Sequence, residues 1–212
     1  MENIKLVIFD LDGTLVDAYA AISGSFNYVM RRLGLRKQSA RSIRGLVGWG
    51  DADLLKPHVS KVDLEYALNL YRLHHKASLL RRTRLYPYAL GLLRYLKTKD
   101  YKLAVASNRP SKFSHILLKH LKIGKFFDYV LCADQSGLAK PHPGMLNIIV
   151  KRFGFKKAQA LYVGDMVIDA QAGRRAKIKT VIVTSGSSRK LEIKREQPFR
   201  VISAIKLLRN LL

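Results

Sequence analysis

Six short apolar runs, near residues 4–9, 102–107, 128–132, 161–164, 180–184 and 199–202, punctuate this 212-residue chain. Helical patterns fill the spaces between them, as in 115–121 and 145–150. A strand that reads as an unbroken apolar run is covered on both faces, and such strands alternating with helices predict an α/β fold. Its sheet is parallel, with helices on both sides.

The interval between the first and second runs is much longer than the others, and it is helical in pattern. Ile22, Phe26, Val29, Met30 and Leu33 recur at the spacing of one helix face. Asp63 reads as the N-cap of a second helix running to about Leu80, with Leu64, Leu68 and Tyr71 among its apolar positions. Residues 84–87 then return the chain to the sheet. The expected division is a core of 1–16 with 85–212 and an inserted helical unit of 17–84. Hinges are expected near Val16-Asp17 and Arg84-Leu85.

The strand ends carry the chemistry. Phe9 is followed by Asp10-Leu11-Asp12-Gly13-Thr14, and Leu161-Tyr162-Val163-Gly164 by Asp165, with Asp169 four residues on. Only 15 residues are acidic against 39 Lys and Arg, yet four of the acids fall in these two segments. A single aspartate there would pass for a helix cap, but two such groups argue for a hard-cation site. Mg²⁺ suits it, because that ion takes one or two carboxylates and completes its shell with substrate phosphate and water. Ser107-Asn108 at the end of another strand are short polar groups that either grip an anionic oxygen or cap the next helix. Lys140, ahead of Pro141 and Pro143, is a cation on a stiff loop.

Taken in order, Asp10-x-Asp12-Gly-Thr14, Ser107-Asn108, Lys140-Pro-x-Pro143 and Gly164-Asp165-x-x-x-Asp169 resemble the four motifs of the haloacid dehalogenase-like hydrolase superfamily. The likeness is greatest to its phosphoglycolate phosphatase-like branch. The resemblance spans nearly the whole chain and implies a Rossmann-like core with a helical cap of the C1 type. It implies Asp10 as nucleophile and Asp12 as general acid and base. It also implies Mg²⁺ held by Asp10, the Asp12 carbonyl and Asp165. Ser107, the Asn108 backbone and Lys140 are implied to hold the phosphoryl oxygens, with Asp169 behind them orienting Lys140 or a metal-bound water. Asp12 favours phosphoryl transfer over dehalogenation, because an alkoxide leaving group needs a proton and a halide does not. The expected activity is hydrolysis of a small phosphorylated metabolite, with phosphoglycolate leading. A phosphomutase using the same aspartates is the alternative. Two departures from the family pattern stand out. Ser107 replaces a common threonine, and Lys177 stands where a glycine often ends the helix.

Specificity is expected from the insertion. The glycine-rich stretch 45–50 carries the only tryptophan, Trp49, which either packs the insertion or reaches over the site. Arg41 and Arg44 are either solvated or contacts to a second anionic group on the substrate. His74 and His75, being adjacent, should point in different directions on a helix, and His142 is read as structural in preference to substrate-binding. One cysteine excludes an internal disulfide and fits a reducing, cytoplasmic setting. No apolar run approaches the ~20 residues of a membrane helix. The formal charge of +24 is spread along the chain. It suits anionic substrates, and it makes a nucleotide substrate or nucleic-acid association a further, less favoured reading, since no nucleic-acid-binding motif accompanies it.

Overall fold

In the computed structural model, which describes residues 4–212, six strands form one parallel sheet. They are β1 (Leu6–Phe9), β4 (Lys102–Ser107), β5 (Tyr129–Cys132), β6 (Ala160–Gly164), β7 (Lys179–Val183) and β8 (Arg200–Ile202). Their order is β5-β4-β1-β6-β7-β8, and every pair is parallel. The remaining two strands, β2 (Val16–Asp17) and β3 (Arg84–Leu85), pair antiparallel outside this sheet. These two-residue strands, which the sequence does not announce, lie where hinges were expected.

Both faces of the sheet are covered, and alternate residues of each central strand serve opposite faces. Val7, Phe9, Leu103, Val105, Leu161 and Val163 join one apolar cluster. Leu6, Ile8, Ala104, Ala106, Ala160 and Tyr162 join the other. Helices α5 (Ala89–Thr98) and α6 (Ser111–His120) pack into the first cluster through Leu92, Leu93, Leu96, Phe113 and Leu117. The short α7 (Ala133–Ser136) follows β5. Helices α8 (Gly144–Arg152) and α9 (Val167–Ala176) supply Met145, Leu146, Ile149, Ala172 and Ala176 to the second, and α10 (Lys190–Arg195) follows β7.

Between β2 and β3 the chain is helical: α1 (Tyr19–Arg32), α2 (Ala40–Arg44), α3 (Asp51–Leu55) and α4 (Leu64–Arg82). Ile22, Phe26, Val29 and Met30 are buried, Leu33 is partly buried, and α1 packs mainly on α4. Asp63 occupies the position before α4 but does not cap it. Its carboxylate accepts from the Ser60 hydroxyl, whose oxygen in turn accepts from the Asp63 amide. Lys177, just past α9, is left-handed (φ 58°), so the chain tolerates there a conformation that glycine adopts more readily.

The topology fixes where a site can form. From β1 the chain moves outward through β4 to β5, then returns to β6 on the other side of β1. At such a reversal the connections leave in opposite directions and open a crevice beyond the strand ends, where ligands bind in open α/β sheets. Asp10 and Asp12 follow β1, Ser107 ends β4, and Asp165 follows β6.

Candidate active site

Asp10, Asp12, Ser107, Asn108, Arg109 and Lys140 line one small cavity of about 50 Å³. Its far wall comes from the helical insertion, through Val47, Gly48, Gly50, Asp51, Tyr71 and His75. Five of the residues expected from the sequence, Asp10, Asp12, Ser107, Asn108 and Lys140, therefore line a single space at the switch point of the sheet.

Lys140 is buried, and its three N–H donors are all engaged. Nζ lies 2.8 Å from Asp10 Oδ1, 2.8 Å from Asp169 Oδ1 and 3.1 Å from the Tyr162 hydroxyl. Burial opposes its charge, but the two carboxylates outweigh it and hold the ammonium more firmly protonated than usual. Asp169 is equally committed. Oδ1 accepts from Lys140 and from Tyr162 (2.6 Å), and Oδ2 accepts from the amides of Asp165 and Met166 at the start of α9. Burial would raise its pKa, yet Lys140 and these donors bring it below the ordinary value.

Asp10 and Asp165 differ. Burial pushes Asp10 up to about 6, with Lys140 opposing and Asp169 reinforcing the shift. Asp165 is pushed well above the usual range by burial and by its neighbours Asp169 and Asp10. Its Oδ1 accepts from the Thr14 hydroxyl at 2.7 Å, whereas its Oδ2 is buried without any partner among the described residues. One carboxylate oxygen from each of Asp10, Asp165 and Asp169 lies within 4.8 Å of the others.

This is the donor set a divalent cation fits. Asp169 already accepts four hydrogen bonds, leaving Asp10 and the orphaned Asp165 oxygen as the free hard ligands, and a bound cation reverses the penalty on both. Gly13 keeps the space open. Its φ is +86°, and a Cβ there would overlap Asp165 Oδ2 and crowd the Tyr19 hydroxyl.

Ser107 Oγ accepts from the Arg109 amide at 3.2 Å, which leaves its proton free to donate into the cavity. The Asn108 side chain is spent on structure. It donates to the carbonyls of Gly48 and Lys140 and accepts from the Lys140 amide, so only its backbone remains for a ligand.

The other residues singled out in the sequence take the following places. Trp49 is not among the residues that line the cavity. It is 42% exposed, while its neighbours Gly48 and Gly50 form the wall. Arg44 stacks on the Tyr19 ring (4.0 Å) and donates to the carbonyl of Ser185 at 2.6 Å, joining α2 to the loop after β7 and leaving the cavity lining to others. His74 and His75 point in different directions, as expected. His75 is buried against Tyr71 and lines the cavity, whereas His74 stacks on Tyr28 away from it. Only their Nδ1 atoms share a neighbour, each 3.1 Å from the Ser25 hydroxyl. His142 is structural, accepting from the Gly144 amide.

Arg109 is the residue that sequence reasoning missed. It is buried and grips Asp12 with two bonds, Nε to Oδ2 at 2.8 Å and Nη2 to Oδ1 at 2.7 Å. Its Nη1 lies 3.0 Å from His75 Nε2 on α4. Among 39 cationic residues, nothing local marks one as buried.

The family profile described as haloacid dehalogenase-like hydrolase matches residues 7–183. The chain belongs to that family. Among curated relatives of this haloacid dehalogenase-like hydrolase, the phosphoglycolate phosphatase of Nitrosococcus oceani is 30% identical, with 100% of this chain and 98% of the relative covered. That of Pseudomonas fluorescens is 30% identical over 96% of this chain and 78% of its own length. A crystal structure of a predicted phosphoglycolate phosphatase from Haemophilus somnus superposes with a TM-score of 0.94. It is 26% identical and covers 100% of this chain and 99% of its own. No helix among the described residues is long and apolar enough to cross a membrane.

Proposed function

We propose that this hydrolase is a Mg²⁺-dependent phosphatase of a small phosphorylated metabolite, with 2-phosphoglycolate the leading substrate. The observation that carries the reading is the buried, unpartnered Asp165 oxygen beside Asp10, at the sheet's switch point. The names of the relatives support the substrate.

In this mechanism Asp10 attacks phosphorus while Asp12 gives a proton to the leaving oxygen. The P–O bond of the ester breaks, and an aspartyl-phosphate forms on Asp10. Asp12, now a carboxylate, takes a proton from water, which attacks phosphorus and releases phosphate and free Asp10. Ser107 Oγ and the Asn108 amide donate to the phosphoryl oxygens. Lys140 joins them by exchanging one of its three present partners, and Asp169 keeps its ammonium in place. Asp10, the Asp12 carbonyl and Asp165 would hold Mg²⁺, which neutralises charge as two anions approach. Residues 17–84 act as a cap whose wall of Gly48, Asp51, Tyr71 and His75 excludes water. A single buried thiol, Cys132, pushed up to about 11 chiefly by its burial, suits a reducing cytoplasm.

The test is phosphate release from a panel of phosphorylated metabolites, with Mg²⁺ or EDTA, by the wild type and Asp10→Asn. Release that requires Mg²⁺ and disappears in Asp10→Asn supports the reading. Isomerised sugar phosphate in place of free phosphate would transfer it to a mutase, and no product from any compound refutes both.

A further inference from the structure

Arg109 has more donors than the protein uses. Of its five side-chain N–H groups, one on Nε and one on Nη2 serve Asp12, and one on Nη1 serves His75. One N–H on each terminal nitrogen has no acceptor among the described residues. These two belong to a buried guanidinium that lines the cavity. A buried donor without a partner is costly, so two spare N–H groups on this guanidinium are a state that an incoming acceptor relieves.

The position of Arg109 says which part of a substrate it meets. Asp12, in the mechanism above, must reach the leaving oxygen, so a side chain bonded to both Asp12 oxygens stands on the leaving-group side. Arg109 also directly follows Ser107 and Asn108, so its fork and the phosphoryl donors share one loop. Besides Lys140, which is saturated by Asp10, Asp169 and Tyr162, it is the only Lys or Arg among the residues lining the cavity. Asp51 is the other acid on this wall. It is engaged by Arg72 at 3.4 Å, and burial raises its pKa, which lessens its repulsion of an anion.

We propose that Arg109 is the specificity-determining residue that reads a carboxylate on the leaving group, and that His75 of the insertion positions it. This deepens the phosphatase reading and rests on it. A carboxylate one carbon from the ester oxygen, as in 2-phosphoglycolate, accepts the two spare N–H donors in a planar fork. Lysine has only three donors, on one nitrogen, and could not make two bonds to Asp12, one to His75 and a two-pronged bond to a ligand together.

The role of His75 follows from its protons. Arginine only donates, so His75 Nε2 accepts and the ring proton lies on Nδ1, facing the Ser25 hydroxyl, which donates to the Ala21 carbonyl. The ring, stacked on Tyr71 (4.8 Å), is neutral: its burial, together with the Arg109 charge, lowers its pKa to about 2. A fixed chain from α1 through α4 therefore sets the guanidinium plane.

The experiment compares two ligands on folded proteins with Mg²⁺: 2-phosphoglycolate and 2-hydroxyethyl phosphate, in which CH₂OH replaces the carboxylate. Calorimetric Kd and kcat/KM are measured for the wild type, Arg109→Gln, Arg109→Lys, His75→Leu and His75→Gln. The expected wild type binds 2-phosphoglycolate at least tenfold more tightly than the alcohol. That ratio falls to about one in Arg109→Gln and to an intermediate value in Arg109→Lys, the latter also serving if the glutamine variant fails to fold. His75→Leu lowers the ratio through KM for the acid, and His75→Gln, which keeps an acceptor, restores it. A ratio unchanged by Arg109→Lys and Arg109→Gln, a wild type with no preference, or no binding of either ligand would overturn the inference. Arg109-dependent discrimination in Kd without any turnover supports it and refutes the phosphatase reading alone.

Discussion

Replacing the proposed nucleophile should make the metal-free protein more stable. Burial raises Asp10 from an ordinary 3.8 to about 6, even with Lys140 at 2.8 Å. The folded state therefore holds that proton more tightly than the unfolded chain does. The stabilisation is fully present below pH ~4 and is lost as pH climbs through about 6. At pH 7 ionised Asp10 costs the fold about 3 kcal/mol, taking 1.36 kcal/mol per pH unit. Asn mimics the protonated acid in shape and keeps an oxygen for Lys140. Asp10→Asn should recover up to that amount in EDTA, a rise in Tm of about 6–12 °C for a domain of this size. Thermal unfolding of both proteins from pH 4 to 8 tests the sign as well as the size, because the gap should vanish near pH 4 and open towards pH 7. With Mg²⁺ at a hundred times its Kd the wild type should gain about 2.7 kcal/mol and the gap should close. An Asp10→Asn protein no more stable than wild type in EDTA at pH 7, or a gap independent of pH, would refute the reasoning.

Other outcomes follow from the same geometry. Lys140→Ala leaves Asp10 and Asp169 without their shared cation and should cost about 3–5 kcal/mol in urea unfolding; a loss below ~1 kcal/mol would contradict the pairing. Gly13→Ala, at φ +86° with its methyl against Asp165, should cost about 1–3 kcal/mol and abolish the Mg²⁺-linked rise in Tm, as read by scanning calorimetry. Arg44→Ala removes the bond to the Ser185 carbonyl and the stack on Tyr19, and should cost about 1–2 kcal/mol. Faster amide exchange in α2 and around residue 185 would report it, and unchanged exchange would show that α2 is held by other contacts. With a charge of +24, kcat/KM for an anionic phosphate ester should fall several-fold as the Debye length shrinks from ~30 Å at 0.01 M to ~8 Å at 0.15 M salt. kcat should not change, and a flat kcat/KM profile would exclude steering.

What was legible in the sequence was what the chain writes locally. Strands buried on both faces leave continuous apolar runs, so β4 is read at its observed bounds and the other sheet strands within about two residues. A helix with one buried face leaves its period, as Ile22, Phe26, Val29 and Met30 do in α1. The clustered acids are legible for a related reason, since a strand end is a local feature and aspartates are scarce in this chain. Two-residue strands such as β2 and β3 leave too little pattern to read. Asp63 misleads because Ser60 offers its carboxylate a nearer donor than the helix amides.

The site's less legible half is made of partners rather than positions. Arg109 meets Asp12 across 97 residues and His75 across 34, and those pairings exist only once the sheet reversal and the α1–α4 packing are both in place. Asp165 shows the same dependence, since its identity is plain in the sequence but its orphaned oxygen is a property of burial beside Asp10 and Asp169. A motif thus names the groups that can react, and the fold decides which of them are left with unspent hydrogen-bonding capacity. Asp169, Asn108 and Lys140 are saturated by the protein, whereas Asp165 Oδ2, the Ser107 hydroxyl and two N–H groups of Arg109 are not. Those unspent groups supply one hard-cation ligand, one phosphoryl donor and one carboxylate fork, three complementary parts of a single small phosphorylated acid and its metal ion.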